Sequence, residues 1–197
     1  MNTSPRPGDW IQTHSGLAFW PLDPREEEMT IEDVAQGLSH LCRFGGQCVR
    51  FYSVAQHSVL VSELAAEMTR EASAERRRLN ALAGLLHDAP EAFICDLPRP
   101  VKAQIPRFRE IEDRIWAVAA RKWGLLHPDG SWRYDAEVVR LADDTALITE
   151  KRALMQHPVR WDLEDHVAPS ARAIDPIPPE DARTLFLTRF ADLSAAP

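Results

Sequence analysis

The stretch "SVAQHSVLVSELAAEMTR", residues 53–70, decides the fold class. Ser53 with Gln56 has the form of a capping box, in which the hydroxyl takes an orphan backbone N–H and the amide reaches back to the cap. Val54, His57, Val61, Leu64 and Met68 then recur at steps of three and four, the period of one buried helix face. A half-buried strand would alternate with period two instead. The spacing predicts a helix from 54 to about 70, with His57 turned inward among aliphatic side chains.

The same period extends outward on both sides. Thr30 with Asp33 resembles a second capping box, and Ile31, Val34, Leu38 and Leu41 give another single-faced helix. Before it, "WIQTHSGLAFWPL" reads as a small hairpin or extended arm turning at His14-Ser15-Gly16, and after it "RFGGQCVRFY" reads as a loop. Towards the C-terminus a helix is expected over 74–88, with Leu79, Leu82, Leu85 and Leu86 apolar, and Pro90 placed to open the next one. "ICDLPRPVKAQIPR" reads as a loop because three prolines interrupt it. Helices follow around Phe108–Trp123 and Asp135–Leu154, joined by the loop "GLLHPDGSWRYD". From His157 to Pro179 proline is frequent and periodicity weak. "PEDARTLFLTRFADL" then forms a final helix with Leu185, Phe186, Phe190 and Leu193 on its apolar side. The expected class is all-α, a compact helical bundle with at most a short N-terminal β element. It is one domain over 1–197, with a core at about 30–155.

Composition sets the function classes. A chain of 197 residues can bury roughly 70% of the surface its unfolded form exposes. A formal charge of −7 argues against a nucleic-acid binder, which would carry a basic face. Cys42, Cys48 and Cys95 form no C-x-x-C pair, and their odd number fits reduced, ordinary buried thiols. The start "MNTSPRPGDW" lacks the apolar run of a signal peptide, and no window approaches a membrane span. A cytoplasmic protein is expected.

The costly residues sit elsewhere, in "LLHDAPEAFICDLPRPVK", residues 85–102. An apolar helix end runs directly into His87 and Asp88, and two further carboxylates, Glu91 and Asp96, follow within eight residues. Asp143 lies inside "AEVVRLADDTALITEKR" with Val139, Ala146 and Leu147 beside it at helical steps. A lone aspartate there would be expensive. Two imidazoles and two carboxylates, His57, His87, Asp88 and Asp143, would resolve the cost by converging on a divalent metal. Such a set suits Mn, Fe, Co, Ni or Zn with water completing the shell. A metal lowers the pKa of bound water from about 15.7 towards 7, which implies hydrolysis. Each residue also has a plainer reading. His57 taken alone is more readily a core histidine. Asp88 could cap the helix at Pro90, and Asp143 could pair with Arg140 or Arg152. The joint pattern is what points to a metal.

That joint pattern resembles the HD-domain metal-dependent phosphohydrolases, whose ligands follow the order His, His-Asp, then a later Asp. The wider wording, "FYSVAQHSVLV", "LLHDAPEAFICDLPRPVK" and "LADDTALI", is similar to the bacterial 5'-deoxynucleotidase branch and related phage-type nucleotide phosphohydrolases. The resemblance spans about residues 30–155. It implies one or more divalent ions, Mg included, and a metal-bound water attacking phosphorus. It also implies that Glu91 orients or deprotonates that water and that Asp96 lies by the phosphate and assists proton transfer. Arg43-Phe44 stands where that branch carries Arg-Trp near the substrate, and Lys102 follows the prolines of its "DLP" motif. Arg43 would hold phosphate through its guanidinium fork, or stabilise a helix C-terminus. Lys102 would add positive charge, or be a solvated loop lysine.

The resemblance implies hydrolysis of (deoxy)nucleoside 5'-monophosphates by a homodimer, and the charge and hydropathy add the expectation of no nucleic-acid or membrane partner. A dNTP triphosphohydrolase uses the same motif, and a non-catalytic nucleotide-binding regulatory module is the alternative of a different class. The guanosine-tetraphosphate hydrolases usually carry an acidic pair where this chain has Glu91-Ala92.

Overall fold

The computed structural model describes residues 6–156 and 159–195. Residues 1–5, part of the stretch weighed as a signal peptide, and His157-Pro158 of the Pro-rich segment lie outside the described residues. The class is all-α, as expected. A two-stranded antiparallel hairpin, β1 (Ile11–Gln12) and β2 (Ala18–Phe19), precedes α1 (Ile31–His40), α2 (Val54–Met68) and α3 (Ala74–Leu86). Two single-turn helices, α4 (Glu91–Ile94) and α5 (Arg99–Lys102), lead to α6 (Pro106–Lys122), α7 (Ala136–Leu154) and α8 (Pro179–Ser194). The turn α5 corrects the expected loop: Pro100 supplies a fixed φ inside the first turn, where no N–H is needed.

α2 is the central helix, packed by α1, α3, α7 and α8. Its cap forms as expected, with the Ser53 hydroxyl accepting from Gln56 N at 3.1 Å. The reciprocal half does not form. Gln56 instead ties down the segment before α8, donating to Asp175 O at 2.6 Å and accepting from Ile177 N at 3.2 Å. Because α2 is covered on most sides, Ser58 and Ser62 are buried along with the expected face. Met68 departs from that face and is exposed at the helix end. Leu185 of α8 is likewise exposed, while Ala182, Phe186 and Leu193 carry the buried side.

α2 and α3 approach closely at Gly84, where an added Cβ would lie 3.1 Å from Val61 O and 3.2 Å from the Ser62 backbone. The contact places the end of α3, where His87 sits, over the start of α2, where His57 sits. The N-terminal arm is fastened too. Asp33 of α1 accepts from Ser15 N and Ser15 Oγ, each at 2.7 Å, and Phe19 stacks on Phe93 of α4 at 4.1 Å between ring centroids. The cysteines correct the buried-thiol reading. Cys95 is exposed, and Cys42 and Cys48 are half-buried with their sulfurs 3.6 Å apart. Among the described residues, no helix is long and apolar enough to cross a membrane.

Candidate metal centre

Three helices deliver the four expected ligands to one point. His57 enters from the first turn of α2, His87 caps the C-terminus of α3, Asp88 follows it, and Asp143 comes from the second turn of α7. Ligand atoms of His57, His87 and Asp88 all lie within 4.8 Å of one another. Asp143 Oδ1 completes the ring, 3.2 Å from His57 Nε2 and 3.9 Å from His87 Nε2. Asp88 faces the same two nitrogens, at 3.7 Å from His57 and 3.2 Å from His87. Asp88 is thus turned to the imidazoles, and the helix that follows receives no side-chain cap.

The histidine tautomers decide what the ring of atoms can hold. His87 Nδ1 lies 2.8 Å from Gly84 O, and a carbonyl only accepts, so Nδ1 carries the proton. His57 Nδ1 lies 2.7 Å from Glu150 Oε1, a carboxylate, and donates in the same way. In their neutral form the rings therefore present Nε2 lone pairs to each other and to two carboxylates. Both Nε2 atoms are buried without a hydrogen-bond partner. Four acceptors facing one another with no donor between them fit a cation, and two imidazoles with two carboxylates are the donor set of a first-row divalent metal. With no ion present, the surrounding carboxylates draw a proton onto His57 in the place a cation would take. Burial and Arg43 lower the proton affinity of His57, but Glu150 and Asp143 outweigh them and hold it at about 9. Asp143 stays well below the usual carboxylate range despite burial, because both histidines face it.

Around this point lies a pocket of about 440 Å³ lined by Arg43, Phe44, Asp88, Glu91, Asp96, Lys102 and Asp143 among others. Glu91 is buried, and burial, then Asp88 and Asp96, push its carboxyl up to about 10. Lys102 sits 3.6 Å from Glu91 and 2.7 Å from Glu112, so it is a held, mostly covered cation and not a solvated loop lysine. Arg43 is no helix-end surface residue either. Its side chain is 11% exposed and it engages Glu150 through Nε at 3.2 Å and Nη2 at 3.1 Å. Phe44 occupies the left-handed region, φ 58°, which with Gly45 and Gly46 also at positive φ bends the chain around the pocket rim. All nine expected site residues are thereby brought to one pocket or to the ring of His57, His87, Asp88 and Asp143 beside it.

Aligned over 187 residues, the chain is 35% identical to the uncharacterized protein YfdR of Escherichia coli strain K12, across 94% of this chain and 96% of YfdR. The chain belongs to the YfdR family. A second relative, the uncharacterized protein RCAP_rcc00048 of Rhodobacter capsulatus, is 42% identical over 119 residues, 59% of each chain. No family model matches the sequence.

Three residues that shape the site in this YfdR-family chain were not foreseen. Glu150, fully buried, bonds both His57 and Arg43, and His57 and Arg43 hold its carboxyl below the usual range against burial. Its signal was present, since seven residues after Asp143 is two helical turns along the same face. Arg99 crosses the pocket mouth to Asp143 Oδ2 at 3.2 Å. Trp161, from the Pro-rich segment, forms part of the wall. Neither residue has a periodic signature, Arg99 opening the single turn α5 and Trp161 lying in the Pro-rich segment. Asp144, the neighbour that could be mistaken for Asp143, instead pairs with Arg140 at 3.2 Å.

Proposed function

We propose that the chain is a divalent-metal-dependent nucleotide phosphohydrolase of the HD-domain kind, releasing phosphate from nucleoside 5'-monophosphates. The observation that carries the reading is the pair of unpartnered His57 and His87 Nε2 atoms, each fixed by its Nδ1 bond and facing Asp88 and Asp143 at the floor of a pocket. Those four residues would hold the ion. When bound, a divalent ion supplies Lewis acidity to water and to phosphoryl oxygen.

The remaining steps belong to the chain's own side chains. Glu91 lies beside Asp88 and Lys102, and in its ionised form, which a divalent cation held by Asp88 would favour, it takes a proton from the attacking water as it adds to phosphorus. The P–O bond to the nucleoside breaks, and Asp96 assists delivery of a proton to the departing 5'-oxygen. Arg43 spends Nε and Nη2 on Glu150, which leaves Nη1 for a phosphate oxygen. Lys102 adds a second positive charge beside Glu91. The reading also places the enzyme in the cytoplasm, where its three free cysteines stay reduced, and as a homodimer.

Metal-stripped protein, supplied separately with Mn, Co, Mg or Zn and a panel of nucleoside mono- and triphosphates, tests the reading when every product is resolved. Nucleoside plus orthophosphate is the expected outcome. Nucleoside plus intact triphosphate from dNTPs would replace it with a triphosphohydrolase. No turnover with confirmed metal binding would favour a regulatory nucleotide-binding module.

A further inference from the structure

The metal ring and its cations account for one end of the pocket and leave the other unexplained. α7 gives the direction. Asp143 contributes to the metal ring, and Leu147, one turn further on at about 1.5 Å per residue, also lines the pocket. Met155, just past the end of α7, lines it as well, followed by Trp161 from the segment beyond the helix. Phe44 faces Trp161 across this end, with ring centroids 6.3 Å apart and planes tilted by 56°. The wall that leads away from the phosphate end is therefore aromatic and aliphatic.

Trp161 is held in that wall by a buried charge that the proposed chemistry does not use. Lys151, on the last turns of α7, is 1% exposed, and its ammonium lies 4.9 Å from the Trp161 ring centroid. It is salt-bridged to Glu164, whose carboxylate also accepts the Trp161 backbone N–H at 2.8 Å. Burying a lysine is costly unless it is paired. Here the pair and the cation–π contact fix one indole beside the pocket. Gln47 is the one amide side chain on the lining and it is exposed, and Arg43, Arg99 and Lys102 are already engaged by carboxylates, so hydrogen-bond reading of a base edge has few uncommitted donors to draw on.

We infer that Trp161, with Phe44 beside it, is the surface on which the nucleobase of the substrate stacks, so that bases are recognised by their faces and accepted broadly. The inference rests on the nucleotide reading of the pocket and deepens it. Stacking on an aromatic side chain tolerates every base because each has a π-face.

The test compares wild type, Trp161→Ala and Trp161→Phe as metal-loaded protein. The probes are thymidine 5'-monophosphate, deoxyadenosine 5'-monophosphate and base-free deoxyribose 5-phosphate, measured by calorimetric binding and by KM and kcat. Metal affinity and thermal midpoint report whether the fold and the metal ring survive. Trp161→Ala is expected to weaken binding and raise KM about tenfold for both nucleotides, with less than a twofold effect on deoxyribose 5-phosphate. Trp161→Phe is expected to recover most of the loss. Equal losses for nucleotide and base-free ester, or wild-type affinities that do not distinguish them, would overturn the stacking surface while nucleotide hydrolysis stands. Absence of binding for all three phosphoesters in wild type would overturn the nucleotide reading and this inference with it.

Discussion

Replacing Glu150 by Gln perturbs the one carboxylate that touches both halves of the site. Glu150 is fully buried, accepts from His57 Nδ1 at 2.7 Å, and faces Arg43 at 3.2 and 3.1 Å. Gln keeps the shape but carries one acceptor and one donor, so it cannot serve an N–H from both partners. If its oxygen stays on His57, its amide N–H₂ meets the guanidinium, and a buried arginine loses its counter-charge. If it turns round, it donates to His57 Nδ1 and moves the ring proton to Nε2, the atom proposed to bind the metal. Removing one partner of a buried pair typically costs about 3–5 kcal/mol. Loss of the group that orients a metal-bound histidine typically costs about 10- to 100-fold in metal affinity, or roughly 1.4–2.7 kcal/mol. We expect a lowered thermal midpoint and a Kd for Mn or Co raised at least tenfold, measured by calorimetry on stripped protein whose helical circular dichroism is intact. A metal affinity within twofold of wild type would refute the reasoning, because the Glu150–His57 bond would then not set the ligand.

Other perturbations reach different parts of the structure. Glu91→Gln should leave metal affinity within about threefold and reduce phosphate release by about 10²-fold or more, the scale of a lost general base, checked by paired calorimetry and product assays. Metal affinity should rise with pH up to about 9 and then level, because the ion must displace the proton that Glu150 and Asp143 hold on His57. Calorimetry in buffers of different ionisation heat would count that proton. Asp33→Asn should cost about 2 kcal/mol in urea unfolding, the scale of hydrogen bonds to a charged group, and free the N-terminal hairpin to proteolysis. The Asp33 carboxyl is held low because the Thr30 and Ser15 hydrogen bonds outweigh burial. Its contribution is therefore complete above the unfolded value near 3.9 and is lost as pH falls through the lower folded value, a dependence the variant should lack. Gly37→Ala should destabilise by about 1–3 kcal/mol through overpacking, since its Cβ would lie 2.7 Å from Ala92 O of α4.

Local signals made the fold legible. Caps at Thr30 and Ser53 and the three-four spacing of Val34, Leu38, Val61 and Leu64 are written within one helix, and the helices formed there. What depended on partners was not legible. Gln56 left its box for Asp175 and Ile177, 119 and 121 residues away, and no helix pattern encodes that. Met68 and Leu185 have the right period but stand where no neighbour covers them. Within the site, His57, His87, Asp88 and Asp143 were readable because burying them apart is costly. Glu150 shares a helix face with Asp143, but that signal was masked by a charged run that reads as a solvated helix end, and Arg99 and Trp161 come from segments without periodicity. The N-terminal arm was unexplained in sequence because its anchors, Ser15 and Phe19, acquire meaning only against Asp33 and Phe93.

The most direct test of the metal centre is the stoichiometry and ligand shell of divalent ion bound to stripped protein. Elemental analysis and X-ray absorption would be applied to wild type, His87→Ala, Asp88→Ala and Asp143→Ala after loading with Mn or Co. We predict at least one tightly held ion per chain with a mixed nitrogen and oxygen shell containing two imidazoles, lost or greatly weakened in each variant. Wild-type protein that retains no ion, or variants that keep the same ion with the same shell, would contradict the convergence of His57, His87, Asp88 and Asp143 on a metal.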